Sequence, residues 1–197
     1  MKTVNSFDKN YSQEVTGART FVKKLNRVSG IYAVAHFDLI GSTKNIQKNQ
    51  EATITQMLIH NKICNNIIQK NGGTIIKELG DAVLATYPNA PMACQCALNV
   101  IYNFKKYVKD IVTKVTITAG TLEKVTTQQM PDVYGVPVNL CNRMSKHTSK
   151  NSIVIEEKRY EDIKSWLPRD NRIKFGRPKK VELNDFKPMF IRKITFY

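Results

Sequence analysis

The most constraining feature of the chain is the apolar run Ile31-Tyr32-Ala33-Val34-Ala35-His36-Phe37, which ends on the carboxylate of Asp38. A run of this length, rich in β-branched and aromatic residues and entered through Gly30, reads as a buried strand. Gly41-Ser42-Thr43 follows as a turn that can start a helix, with Ser or Thr as the cap. From Ala52 to Lys70 the apolar positions Ile54, Met57, Leu58, Ile63, Ile67 and Ile68 suit one long amphipathic helix, which Asn71-Gly72-Gly73 stops. Thr74–Lys77 is a short strand, Gly80-Asp81 a tight turn, and Ala82–Tyr87 the returning strand. This hairpin therefore carries a second carboxylate at its tip.

A second helix is expected over Pro91–Tyr107, with Ala93, Cys94, Ala97, Val100, Ile101 and Phe104 facing inward. Lys114–Gly120 alternates and is rich in β-branched residues, so it reads as a strand. Asp132–Gly135 reads as a turn, Val138–Met144 as a helix start, Ser152–Glu156 and Met189–Tyr197 as strands. The order β-α-β-β-α-β predicts an α+β fold of the ferredoxin-like kind, an antiparallel sheet with helices on one face. At 197 residues the chain suits one domain with extensions. We divide it into an N-terminal arm (1–29), a central domain (30–160) and a basic C-terminal extension completing that domain (161–197).

No apolar stretch reaches the roughly 18 to 20 residues that span a bilayer. The polar N-terminus lacks the apolar run of a secretion signal, so a cytoplasmic protein is expected. Cys64, Cys94, Cys96 and Cys141 form no Cys-x-x-Cys pair, which speaks against zinc. The net charge of +15 would attract polyanions or nucleotide phosphates, with Arg169, Arg172, Lys174, Arg177, Lys179 and Lys180 in its densest segment. RNA-binding ferredoxin-like domains place exposed aromatics on their central strands. The hairpin strands here offer only Tyr87, so nucleic acid is not the favoured partner.

If the first strand and the hairpin are neighbours, Asp38 and Asp81 share one sheet end. Such a pair suits hard cations, which keep open positions for substrate phosphate. Gly41, Ser42 and Thr43 could meet that phosphate with backbone N–H groups. Asn139 and Arg143, four apart, share a helix face; arginine can offset charge on a transferring phosphoryl group.

Three ordered segments resemble the class III nucleotide cyclases, the adenylate and guanylate cyclases. They are Phe37–Thr43, Gly72–Asp81 and Asp132–Met144, within Ile31 to Glu156. The resemblance implies a nucleotide cyclase making a 3′,5′-cyclic nucleotide and pyrophosphate with two divalent cations, Mg²⁺ or Mn²⁺. It implies metal positions at Asp38, Leu39 and Asp81, and catalytic roles for Asn139 and Arg143. It also implies base reading by Lys77 and Asp132, of the kind that suits adenine. Family sites are built across a homodimer, with the metals on one subunit and Asn and Arg on the other. Two departures stand out. The family's phosphate-binding lysine is missing from Leu183-Asn184-Asp185-Phe186, unless Lys179, Lys180 or Lys187 substitutes. Gly-Phe-Thr is replaced by Gly41-Ser42-Thr43. The small build and Asp132-Val133-Tyr134-Gly135 look most similar to the pyrimidine cyclases of bacterial Pycsar anti-phage systems. That likeness leans towards UTP as substrate and cUMP as product, read by a separate cyclic-nucleotide-binding effector.

Overall fold

A computed structural model describes residues 4–126 and 131–197, with side chains from Glu14 onward. Helix α1 (Val4–Lys24) leads into β1 (Asn26–Leu39), then the one-turn α2 (Ser42–Asn45) and α3 (Gln50–Lys70). Strands β2 (Thr74–Glu78) and β3 (Ala82–Tyr87) form the hairpin, followed by α4 (Ala90–Tyr107), β4 (Thr113–Thr126) and β5 (Pro131–Tyr134). Helix α5 (Val136–Met144), β6 (Ser152–Glu156), α6 (Tyr160–Trp166), β7 (Ile173–Phe175), β8 (Lys179–Val181) and β9 (Met189–Phe196) complete the chain.

Helices α3 and α4 start where asparagine can cap them. Asn49 accepts from the Ala52 N–H at 3.0 Å, and Asn89 from the Met92 N–H at 2.9 Å. Both helices thus begin slightly earlier than the apolar periodicity alone suggests.

The central strands run β2-β3-β1-β4, all antiparallel, the order of a ferredoxin-like unit. Strand β6 adds in parallel to β4, and β9, β7 and β8 extend that side. Alternation along β1 sorts its side chains. Ala33, Ala35, Phe37 and Leu39 join the main core with Cys64 and Ile68 of α3, Phe104 of α4 and Ile163 of α6. Val34 points the other way, into a smaller cluster with Cys141 of α5. His36 and Asp38 follow the parity of Val34 and so belong to the α5 side of the sheet. The opposite face is covered by α3, α4 and α6, as the strand-helix order predicts, while α5 adds a layer on the site's face.

Three local expectations change. Asp132–Tyr134 is not a turn but lies in β5, paired with β4 through Lys124↔Val133, because Val133 is buried in the α5-side cluster. Strands β1 and β4 are each 14 residues long, since they pair with one another from Asn26↔Thr126 to Leu39↔Thr113. The last residues of the 1–29 segment are therefore sheet. The basic tail holds β7 and β8 besides the expected last strand. In α1 every residue from Glu14 to Lys24 is exposed. All four cysteines are free and buried, and burial pushes the Cys96 thiol up to about 11.

Candidate active site

Strand pairing places the two aspartates. Asp38 sits opposite Ala82 in the β1–β3 ladder, and the Leu39 N–H donates to the Asp81 carbonyl at 3.0 Å. The hairpin closes through the Leu79 N–H on the Ala82 carbonyl at 2.8 Å. Gly80, at φ 65°, occupies the left-handed region that this turn requires. Both carboxylates line one open cleft of about 730 Å³.

The same cleft is lined by Gly41, Ser42 and Thr43. Gly41 has φ 94° and begins α2 without a side-chain cap. The Ser42 hydroxyl, expected as a cap, instead donates to the Asp81 carboxylate. With one turn only, α2 brings no helix dipole of consequence, so the loop contributes backbone N–H groups and a hydroxyl that orients Asp81.

Lys114 also enters the cleft, a residue not singled out in the sequence. It is the cross-strand partner of Asp38, and its ammonium lies 3.0 Å from the Asp38 carboxylate and 3.4 Å from the Ser145 carbonyl. Only the β1–β4 register reveals this, and register is set by tertiary pairing rather than by local pattern. Neither Lys179, Lys180 nor Lys187 lines the cleft, whereas Lys114 does. His36 borders it too. Burial pushes its imidazole below the ordinary value, against the pull of Asp38.

Asn139 and Arg143 lie elsewhere. They line a separate cleft of about 420 Å³ with Asp185 and Phe186, and Arg143 donates to the Asp185 carboxylate at 3.1 Å. Asp185 has φ 68°, a backbone conformation that glycine adopts readily. Asn142, between the two, borders both clefts. A single chain thus does not bring Asn139 and Arg143 into the cleft of the two aspartates.

Lys77 of β2 and Asp132 of β5 do meet. The ammonium lies 2.8 and 3.0 Å from the two carboxylate oxygens. Partial burial works to raise the Asp132 pKa, but Lys77 and the Val133 N–H outweigh it and hold the carboxyl below its ordinary 3.8. Stability from this pair is therefore present above that value and is lost as pH falls through the lower folded value. The melting-temperature gap between native protein and Asp132→Asn should close on acidification from about pH 5. A gap that stays constant across the titration would show that the pair adds no stability of its own.

The chain is 26% identical over 132 residues to an adenylate cyclase of Streptomyces coelicolor, covering 66% of this chain and 34% of that protein. It is 25% identical over 120 residues to an adenylate cyclase of Streptomyces griseus, covering 60% and 29%. The chain spans about a third of the length of these curated relatives. No protein-family model matches it. Among solved structures, the adenylyl cyclase CyaB from P. aeruginosa superposes with a TM-score of 0.73 at 20% identity, over 88% of this chain and 97% of that one. The guanylyl cyclase Cya2 gives 0.72 at 18% identity, over 86% and 94%. This is the fold of the adenylate and guanylate cyclase catalytic domains. Within that fold, Asp38 and Asp81 share the cleft at the β1 and hairpin ends. No helix among the described residues is long and apolar enough to cross a membrane.

Proposed function

We propose that the protein is a nucleotide cyclase that converts a nucleoside triphosphate to a 3′,5′-cyclic nucleotide and pyrophosphate. One observation carries the reading: Asp38 and Asp81 converge on one open cleft beside the Lys114 ammonium. The donor set fits divalent cations. Mg²⁺ takes one or two protein carboxylates and leaves its remaining positions to water and substrate phosphate. Among the described residues no third acidic, histidine or cysteine ligand joins the pair. Cations held by Asp38, Asp81 and the Leu39 carbonyl would supply positive charge at the reacting phosphate oxygens.

The chain's own groups then divide the work. The Gly41–Thr43 backbone and Lys114 hold the phosphate chain. Lys114 thereby takes the place of the lysine missing from Leu183–Phe186. The 3′-oxygen forms a bond to the α-phosphorus as the bond from that phosphorus to the bridging oxygen of pyrophosphate breaks. The hydroxyl proton passes to water or to Asp38. Arg143 offsets charge at the α-phosphate and Asn139 orients the ribose. Since both lie outside the aspartate cleft of their own chain, they serve the cleft of a second copy, which makes the working unit a homodimer.

For the base, the Lys77–Asp132 contact supports adenine: one donor and one acceptor, held together and partly exposed, match its ring nitrogen and amino group. ATP is then the substrate and cAMP the product. Gly41-Ser42-Thr43 and Asp132-Val133-Tyr134-Gly135, which resemble segments of the Pycsar pyrimidine cyclases, keep UTP as the second reading. On that reading cUMP is made in anti-phage defence for a separate cyclic-nucleotide-binding effector. The deciding experiment is incubation of purified protein with Mn²⁺ and ATP, GTP, CTP or UTP separately, followed by mass spectrometry. Cyclic AMP as the dominant product supports the Lys77–Asp132 reading, and cUMP the second. No cyclic product from any of the four would end the cyclase proposal.

A further inference from the structure

We propose that His60, Asn61 and Thr113 form a positioning device that sets Asp81 against Asp38 and so tunes cation affinity; this rests on the cation reading above. The device lies behind the cleft, on the α3 side of the sheet. His60 is fully buried and Asn61 nearly so. The Asn61 amide nitrogen donates to the Gly80 carbonyl at 2.9 Å and to the Glu78 carboxylate at 3.0 Å. Glu78 is held a second time by Asn65, at 2.6 Å. Asn61 therefore grips the hairpin on both sides of Leu79, one residue short of Asp81.

The rest of the hydrogen inventory follows from that grip. With both amide hydrogens used, the Asn61 oxygen can only accept, and His60 Nδ1 lies 3.0 Å from it. Nδ1 thus carries the imidazole proton. Burial pushes this histidine below its ordinary value, so Nε2 is left as an acceptor. Thr113 Oγ lies 3.1 Å from Nε2 and 3.3 Å from the Asp38 carbonyl. The single Thr113 hydroxyl hydrogen thus faces two acceptors, Nε2 and the Asp38 carbonyl, and is shared between them. The Cys64 thiol, 3.6 Å from Nε2, is a further donor. Through that shared contact buried polar groups link the Gly80 carbonyl to the Asp38 backbone. Phe104 stacks on the imidazole at 5.4 Å and 8°, which fixes the ring plane. A purely structural core could fill the same volume with apolar residues. Here instead the polar atoms end on the backbones that flank or carry the two carboxylates. Partners that orient metal ligands from behind typically change affinity or activity by about 10- to 100-fold when removed.

The test measures Mn²⁺ alone, through loss of the free-ion electron paramagnetic resonance signal, on protein folded by circular dichroism. Asn61→Ala should raise the Mn²⁺ Kd by about 10- to 100-fold, and Thr113→Val, equal in shape but without the hydroxyl, by about 10-fold. Thr113→Ser should bind as the native protein does. Thr113→Val carries the test should Asn61→Ala not fold. Native Mn²⁺ affinity in the folded variants, with binding lost in Asp38→Asn, would overturn the device while leaving the cation site standing. Native affinity in Asp38→Asn would remove the cation site and the device together.

Discussion

Asp38→Asn is expected to lower cyclisation roughly 1,000-fold, with the melting temperature within about 2 °C of the native value. The substitution keeps the shape of the side chain and removes its charge. A cation at a reacting phosphate is worth several kcal/mol, and each 1.36 kcal/mol is tenfold in rate. Stability changes little because the asparagine amide oxygen still accepts from the Lys114 ammonium, and removing one charge at the cleft relieves the proximity of the two carboxylates. Arg143→Ala should be similarly poor. Mixed in equal amounts and allowed to exchange subunits, the two variants should recover about a quarter of native activity. Half of the dimers pair one variant with the other, and each such dimer holds one intact site of two. Recovery near zero, with exchange demonstrated, would mean that each chain works alone. Native turnover in Asp38→Asn would remove the aspartate pair from the chemistry.

The largest loss of stability is expected for Phe104→Ala. Phe104 is fully buried in α4 and backs the His60 ring. Truncating a buried phenylalanine costs about 3 to 5 kcal/mol. In a domain of this size each kcal/mol lowers the melting temperature by about 2 to 4 °C, so a fall of about 6 to 20 °C is expected. Because the ring plane of His60 rests on Phe104, the residual folded protein should also bind Mn²⁺ less tightly. A fall of under about 2 °C by calorimetry would show that α4 repacks without this ring.

The elements around Asp38 and Asp81 were legible because their signals are local. The apolar run before Asp38, short, entered through Gly30 and rich in β-branched and aromatic residues, reads as a strand, and it is buried from Ala33 to Ala35 and at Phe37. Gly80 marks the turn that presents Asp81, and the β-α-β-β order makes β1 and the hairpin neighbours. That β1 lies beside the hairpin follows from that order, while the Asp38↔Ala82 register belongs to the folded sheet. Asn139 and Arg143 were legible as a helical pair, and the structure places them in a second cleft.

What was not legible depends on partners distant in sequence. The spacing Lys114-Val115-Thr116 reads as a strand, yet nothing in it says that Lys114 faces Asp38. That requires the β1–β4 register, and a shift of one residue would turn Lys114 to the opposite face. The Asp132 segment reads as a turn until β4 is long enough to pair with it. His60 and Asn61 sit on a helix whose spacing marks only its apolar face. Their function as a link appears once Thr113 and Gly80, 52 and 19 positions beyond Asn61, are folded against them. Local pattern marked the strand before Asp38 and the turn before Asp81, because backbone propensity and hydrophobic period act over a few residues. The tertiary structure alone decided which carboxylate meets which cation and which amide holds which carbonyl. Those contacts exist only after sheet register and helix docking bring distant positions within hydrogen-bond reach.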